Sequence, residues 1–373
     1  MVTLLVAALA LEGLARVVEA VDRIEAPWLA AQVNRQLPLN PYQVASDRFM
    51  RHWRLKPFFG VSAEELAGLK ARSGRAEGAH LLGRDIEQGY YQPLRVNSLG
   101  FKGAAIDPEH RLPRVLAIGD SVTYGMGGWD WPQAMVARLA EAGIAVEAVN
   151  AGVEGYAIRN ALIELPVYQS LRPQVCVVML GWNDIFAQVP LPSWARNLRV
   201  LDVARRGIRM VATSIQPVDP AQSARKQRDK AKHLDQGDHM IALARQTPTK
   251  LVDNLERLGD GLSGVGCRVA LATLPGLYRA GEFPSTRALE IGHLPEFTDN
   301  PQVLAEMTAA ANAAIRELSA RRSWQLIDLD DWSRSGLAPK EDFFTDSVHV
   351  TGAGLRRIGE AIADQLRADL GPR

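Results

Sequence analysis

Ser121 is the residue around which chemistry can be built, because an apolar run feeds directly into it. The stretch Arg114-Val-Leu-Ala-Ile-Gly-Asp-Ser-Val-Thr-Tyr-Gly125 reads as a buried strand that ends at Gly119, followed by a turn that carries the serine. In open α/β sheets ligands gather just outside the carboxyl ends of the strands, where the next helix presents its first backbone N–H groups. A Gly-Asp-Ser turn is also a good helix cap, so the serine alone does not decide the matter. The far end of the chain does more. Phe344-Thr-Asp-Ser-Val-His-Val-Thr-Gly-Ala-Gly354 sets Asp346 and His349 three residues apart, ahead of a helix predicted over about 351–370. A serine hydroxyl is a poor nucleophile until a base takes its proton, and a neutral imidazole does this best when a carboxylate holds its tautomer. The expectation is therefore Ser121 as nucleophile, His349 as base and Asp346 as the group that orients the base.

Acyl transfer also needs donors for the negative oxygen of a tetrahedral intermediate. Two further segments follow apolar runs, Asn150-Ala-Gly-Val-Glu-Gly155 and Gly181-Trp-Asn-Asp184. Gly155 can offer a backbone N–H with no side chain in the way, Asn183 a side-chain amide, and Ser121 its own N–H. Taken singly, these segments also suit a glycine turn and an Asn-Asp helix cap. Asp120, Trp129, Trp182 and Asp184 lie beside them in sequence and are candidates for lining a substrate pocket. Trp129, Trp131 and Trp182 could stack on a sugar ring, although tryptophan fills cores equally well.

Ser, Gly, Asn and Asp-x-x-His, in this order, resemble the blocks of the SGNH (GDSL-type) hydrolase superfamily, from about Arg114 to the C-terminus. Val122 stands where the name-giving motif has Leu, and Gly119-Asp-Ser-Val-Thr123 lacks the second glycine of the Gly-x-Ser-x-Gly elbow of α/β-hydrolases. The resemblance implies a flavodoxin-like three-layer α/β/α sandwich and a serine esterase or deacylase with an acyl-enzyme intermediate and neither metal nor organic cofactor. It also implies an O-acyl substrate, with an O-acetylated carbohydrate or envelope polysaccharide first and a lipid or thioester second. An O-acyltransferase would use the same residues, and a non-catalytic binding protein of the same fold is a third class.

Positioning such a site requires a particular rhythm of elements. Apolar runs and helical periodicity predict a helix over 131–142, a strand over 145–149, a helix over 158–171 and a strand over 175–180. They resume with a helix over 249–262, a strand over 268–274, a helix over 303–321 and a strand over 324–329. With the strand before Ser121 this makes a five-stranded parallel sheet, covered on both faces and so almost continuously apolar. Between 186 and 246 the chain is rich in Lys and Arg, notably Arg205-Arg206 and Arg225 to Lys232, and reads as an insertion that forms a lid, a substrate-binding wall or a solvated loop. The segment 276–301, with Tyr278, Arg279, Phe283 and Phe297, could line the cleft.

Upstream, residues 26–112 are too aromatic for a tail, and Arg95-Val-Asn-Ser-Leu-Gly-Phe-Lys102 resembles a segment that precedes the catalytic blocks in members of the superfamily, which implies a flank that packs on the 113–373 hydrolase domain, as part of the substrate pocket or as a structural collar. Residues 1–25 open with an apolar run of about ten residues, half of what a bilayer-spanning helix needs. Remnant of a membrane anchor, interfacial helix or docked helix are the open readings, and the first favours the cell envelope over the cytoplasm. In the 373-residue chain 43 Lys and Arg face 42 Asp and Glu, which gives no reason to expect nucleic acid. Cys176 and Cys267 both adjoin apolar strand runs; two cysteines make no disulfide framework, and they are expected as two reduced core residues with a single bridge left open, while the scattered histidines offer no metal spacing.

Overall fold

The computed structural model describes residues 10–17, 25–37, 39–72, 88–90, 92–192, 198, 200, 204 and 230–370. The chain divides into two compact units, residues 1–54 with 189–223 and residues 55–188 with 224–373. In the smaller unit, residues 10–17 are helical and the Glu12 carboxylate accepts the Val200 N–H at 3.0 Å. Asn34, at the end of helix Pro27–Asn34, ties down a loop by donating to the carbonyls of Ser46 and Phe49 at 2.6 and 2.7 Å. Among the described residues no helix is long and apolar enough to cross a membrane, and residues 1–9 and 18–24 of the predicted N-terminal segment lie outside them. So do the basic residues 205–229 of the insertion; within it, residues His239–Ala244 form a helix capped by Asp238.

The larger unit is built on five parallel strands: β1 (Arg114–Gly119), β2 (Glu147–Gly152), β3 (Val175–Met179), β4 (Arg268–Ala272) and β5 (Gln325–Ile327), in the order β2-β1-β3-β4-β5. Every residue of β1 and β3 is buried, as both faces of a covered parallel sheet demand. The linking helices are α1 (Ser121–Tyr124), α2 (Trp131–Glu141), α3 (Ile158–Ser170), α4 (Trp182–Ala187), α5 (Thr249–Ser263) and α6 (Pro301–Arg322), and α7 (Gly352–Leu370) closes the chain. From β1 the chain first steps out to β2 and then reverses toward β3, β4 and β5. Right-handed crossovers therefore put α2 on one face and α3, α5 and α6 on the other. α7 packs on α2, and α5 packs on both α3 and α6. The result is the three-layer α/β sandwich.

Register is what gathers the strand ends. Gly119 pairs with Gly152 on one side and Met179 on the other, so the turns after β1, β2 and β3 open at one level. Strand β2 runs over 147–152, three residues beyond the predicted end, because Asn150, Ala151 and Gly152 continue the ladder opposite Ala117, Ile118 and Gly119. β5 is shorter than predicted. Asp328 accepts the Asp331 N–H and starts a helix over Leu329–Gly336 where a strand end was expected.

The cysteines depart from expectation as well: Cys176 on β3 and Cys267 just before β4 form a disulfide, not two free thiols. Their strands are adjacent, with Cys176 opposite Val269, and pairing is a property of that adjacency rather than of burial. The flank 95–102 is part of the larger unit. Leu94–Arg95 pairs antiparallel with Gly60–Val61, and Lys102 bridges to Asn150 at the edge of the main sheet.

Candidate active site

The turn after β1 presents Ser121 as the first residue of α1. Asp120 caps that helix, accepting the Val122 N–H at 3.0 Å. The turn fits against β1 because residue 119 is glycine: a Cβ there would lie 1.9 Å from Thr123 Oγ1 and 3.0 Å from the Met179 carbonyl. Three further side chains hold the turn. Asn150 donates to the Thr123 carbonyl at 2.9 Å, Trp131 Nε1–H donates to Thr123 Oγ1 at 3.2 Å, and the buried Lys102 ammonium donates to the carbonyls of Tyr124 (2.6 Å) and Trp129 (3.1 Å). Lys102 is also ion-paired with Asp130 at 3.0 Å, both side chains being 2% exposed.

Asp346 and His349 share a turn ahead of α7. Asp346 Oδ1 accepts the N–H groups of Val348 and His349, both at 2.8 Å, which points Oδ2 at the imidazole. His349 Nδ1–H donates to Oδ2 at 2.6 Å, and Ser121 Oγ–H donates to His349 Nε2 at 2.7 Å. Residues 228 positions apart thus form one continuous hydrogen-bonded line. Burial alone would raise the Asp346 pKa, but the charges of His349 and His293, with the hydrogen bonds from His349, more than offset it and hold the carboxyl below the usual range. Asp346 is therefore an anion wherever the imidazole can act as a base.

Beyond β2, Gly155 has φ +81°, a left-handed conformation suited to glycine, and is exposed. Beyond β3, Gly181 (φ 144°) caps α4, so Asn183 stands inside the first turn of that helix rather than at its cap. Asn183 Nδ2 donates to the Tyr156 carbonyl at 2.9 Å. An amide nitrogen carries two hydrogens, so this bond orients the group and leaves its second donor beside the Gly155 turn.

Of the residues considered for lining a pocket, Asp120 and Trp182 are buried, at 0% and 4% exposure, and Asp184 accepts the first N–H of α3, that of Ile158, at 3.0 Å. Asp184 thereby locks the Gly155 turn to the Asn183 helix. Burial lifts the Asp120 carboxyl to about 6 against the Val122 bond and the His349 charge. It lifts Asp184 to about 7 against the Ile158 bond, with the Asp120 charge adding to the rise. Trp129 is half-buried, donates to the Gly352 carbonyl at 3.1 Å and leans on Tyr90, with ring centroids 5.6 Å apart.

In the segment 276–301, Tyr278 donates to the Ala288 carbonyl, Arg279 donates to Asp330, and Phe283 is 71% exposed. The residue of that segment that reaches the site is His293, which the sequence reading passed over. Its Nδ1 lies 3.6 Å from Asp346 Oδ1 and its ring is 13° from parallel with that of His349. Nothing in the local sequence around His293 signals this, because both partners are over fifty residues away.

Residues 117–357 match the profile of the GDSL-like Lipase/Acylhydrolase family. Among solved structures, the chain is similar to an acetyl xylan esterase (16% identity, 69% of this chain and 99% of that chain covered, TM-score 0.41). It is also similar to a lipase/acylhydrolase from Enterococcus faecalis (18%, 70% and 99%, TM-score 0.40) and to a GDSL-like lipase from Bacteroides thetaiotaomicron (14%, 72% and 93%, TM-score 0.39). No curated protein matches the chain.

Proposed function

Since the chain belongs to the GDSL-like lipase/acylhydrolase family and is an ester-hydrolysing enzyme, we propose that it works through an acyl-enzyme on Ser121. The observation that carries this reading is the line Asp346–His349–Ser121, closed at 2.6 and 2.7 Å. Ser121 Oγ attacks the ester carbonyl carbon as its proton passes to His349 Nε2, and Asp346 stabilises the imidazolium that forms. The oxyanion is held by the N–H groups of Ser121 and Gly155 and by the Asn183 amide, on turns that the Gly119–Gly152–Met179 register brings level. Collapse breaks the C–O bond to the alcohol, which leaves with the proton from His349. Water then attacks the acyl-enzyme with His349 again as base, releasing the acid and restoring Ser121.

For the substrate we favour an O-acetylated carbohydrate. The support is the half-buried Trp129 and Tyr90 pair, because Trp129 is bonded to Gly352, three residues from the base, and offers an aromatic surface to a sugar. The test is labelling with a fluorophosphonate, followed by turnover of acetylated oligosaccharides against aryl esters of increasing chain length. Labelling at Ser121 that disappears in Ser121→Ala, with acetyl esters of sugars turned over fastest, is expected. Persistent labelling of Ser121→Ala removes the nucleophile assignment, and faster turnover of long-chain esters removes the carbohydrate. Adding unacylated glycan and measuring acylated product against free acid reads transfer separately from hydrolysis.

A further inference from the structure

The acid of the site faces two imidazoles, and only one of them is in the hydrogen-bonded line. Asp346 is 2% exposed, and its Oδ1, turned away from His349 Nδ1, lies 3.6 Å from His293 Nδ1. The placement of His293 is built in at both backbone and ring. Ser347, between Asp346 and Val348 in the acid-base turn, accepts the His293 N–H at 2.9 Å and donates its hydroxyl to the His293 carbonyl. The same turn is held a second time by the Leu277 N–H, which donates to the Ser347 carbonyl at 3.0 Å. On its other side the His293 ring packs on Phe186, with centroids 4.9 Å apart; Phe186 belongs to α4, the helix that carries Asn183. The ring therefore sits between the helix of the oxyanion amide and the acid of the relay, with the His349 ring 6.5 Å away in near-parallel orientation.

We propose that His293 is a positioning residue for the relay, a second imidazole that steadies Asp346 through Oδ1 while Oδ2 serves His349. This rests on the reading of Ser121, His349 and Asp346 as the catalytic line. The physical argument is one of competing demands on a carboxylate. Asp346 Oδ1 already accepts the Val348 and His349 N–H groups, and an imidazole N–H or cation beside it adds a further contact from outside the turn that lowers the cost of keeping the charge out of water. A separation of 3.6 Å is longer than a hydrogen bond, and contacts of this kind in a free enzyme commonly tighten in the substrate or transition-state complex. His293 thus touches neither the nucleophile nor the reacting carbon. It acts through Asp346 on the basicity and aim of His349.

Two substitutions separate the polar contact from the packing. His293→Phe keeps a ring against Phe186 but removes the nitrogen, and His293→Asn loses the ring but retains an amide nitrogen at the distance of Nδ1. With an aryl acetate as substrate, His293→Phe is expected to lower kcat about tenfold or more with KM within about twofold, and to slow fluorophosphonate labelling of Ser121 in proportion. His293→Asn is expected to recover kcat to within about threefold of the wild type. A His293→Phe enzyme with wild-type kcat overturns the proposal. So does an equal loss in both variants accompanied by equal lowering of Tm, which would make the ring's packing the whole contribution. Ser121→Ala and His349→Ala run beside them: if these retain turnover, it is the catalytic line itself that fails, whereas inactive controls beside a fully active His293→Phe remove only the role of His293.

Discussion

At the scale of single residues, the proposed mechanism makes each side chain answerable for a different quantity. His349 carries the proton and Asp346 only orients and stabilises it, so His349→Ala is expected to lower kcat by several orders of magnitude and Asp346→Asn by less. Steady-state kinetics on an activated acetate ester would decide, and wild-type turnover in His349→Ala would end the assignment. Because Asp346 is held below the usual carboxylate range, the acid limb of the kcat/KM profile should follow an imidazole and not the Asp346 carboxylate. Asn183 has one observed and one proposed job, and the two can be read apart. Its bond to the Tyr156 carbonyl contributes about 1 kcal/mol of stability, a typical net value. Loss of an oxyanion donor should cost about a hundredfold or more in kcat with little change in KM. Asn183→Ala is expected to show both; a variant that melts earlier yet keeps its turnover number would leave Asn183 with the structural job alone.

At the scale of elements, the Ser121 turn is held from outside the βαβ rhythm. Lys102, delivered by the flank, spends its three ammonium hydrogens among the Tyr124 carbonyl, the Trp129 carbonyl and the Asp130 carboxylate. With both charged groups out of solvent, removing one leaves the other uncompensated, which typically costs about 3–5 kcal/mol. Lys102→Met should therefore destabilise strongly, and Asp130→Asn added to it should recover part of the loss, as measured by urea unfolding of the single and double variants. A loss below about 1 kcal/mol in Lys102→Met would show that the pair contributes little. Glycine does the complementary work on the other side of the turn. A Cβ on Gly152 would come within 2.2 Å of the Tyr124 backbone nitrogen, so β2 and the turn can approach only without one.

At the scale of the whole molecule, two acids behind the site, Asp120 fully buried and Asp184 partly buried, tie its pH range to its stability. An unfolded aspartate loses its proton near 4, whereas Asp184 in the folded chain holds its proton up to about 7. Across that interval the folded state binds more protons, so stability falls as pH rises, and the loss is complete only above the folded value. Asp184→Asn keeps an oxygen for the Ile158 N–H but has no charge to bury. Its denaturation midpoint should exceed that of the wild type at about pH 8, by on the order of 2 kcal/mol, and the advantage should vanish at about pH 4. Urea midpoints at the two pH values test this, and a variant less stable than the wild type at the higher pH refutes it.

What could be read without coordinates was whatever is encoded locally. The apolar runs over 115–118 in β1 and Val175–Met179 in β3 announce strands covered on both faces. Ser121, Gly155 and Asn183 each follow a strand run, so strand polarity alone puts them at one edge, whereas the Asp346 and His349 turn ahead of a helix start reaches that edge only through packing. Element boundaries slipped at β2, whose last residues are held by backbone pairing with β1, and at Asp328, whose own carboxylate caps a helix. Tertiary structure alone decided the rest. Asp184 caps a helix 26 residues upstream, Cys176 meets Cys267 across 91 residues, Lys102 reaches Asp130, and His293 meets Asp346. The reason is the same in each case: periodicity records which face of an element is buried, but the partner of a polar group depends on which elements the crossovers bring together.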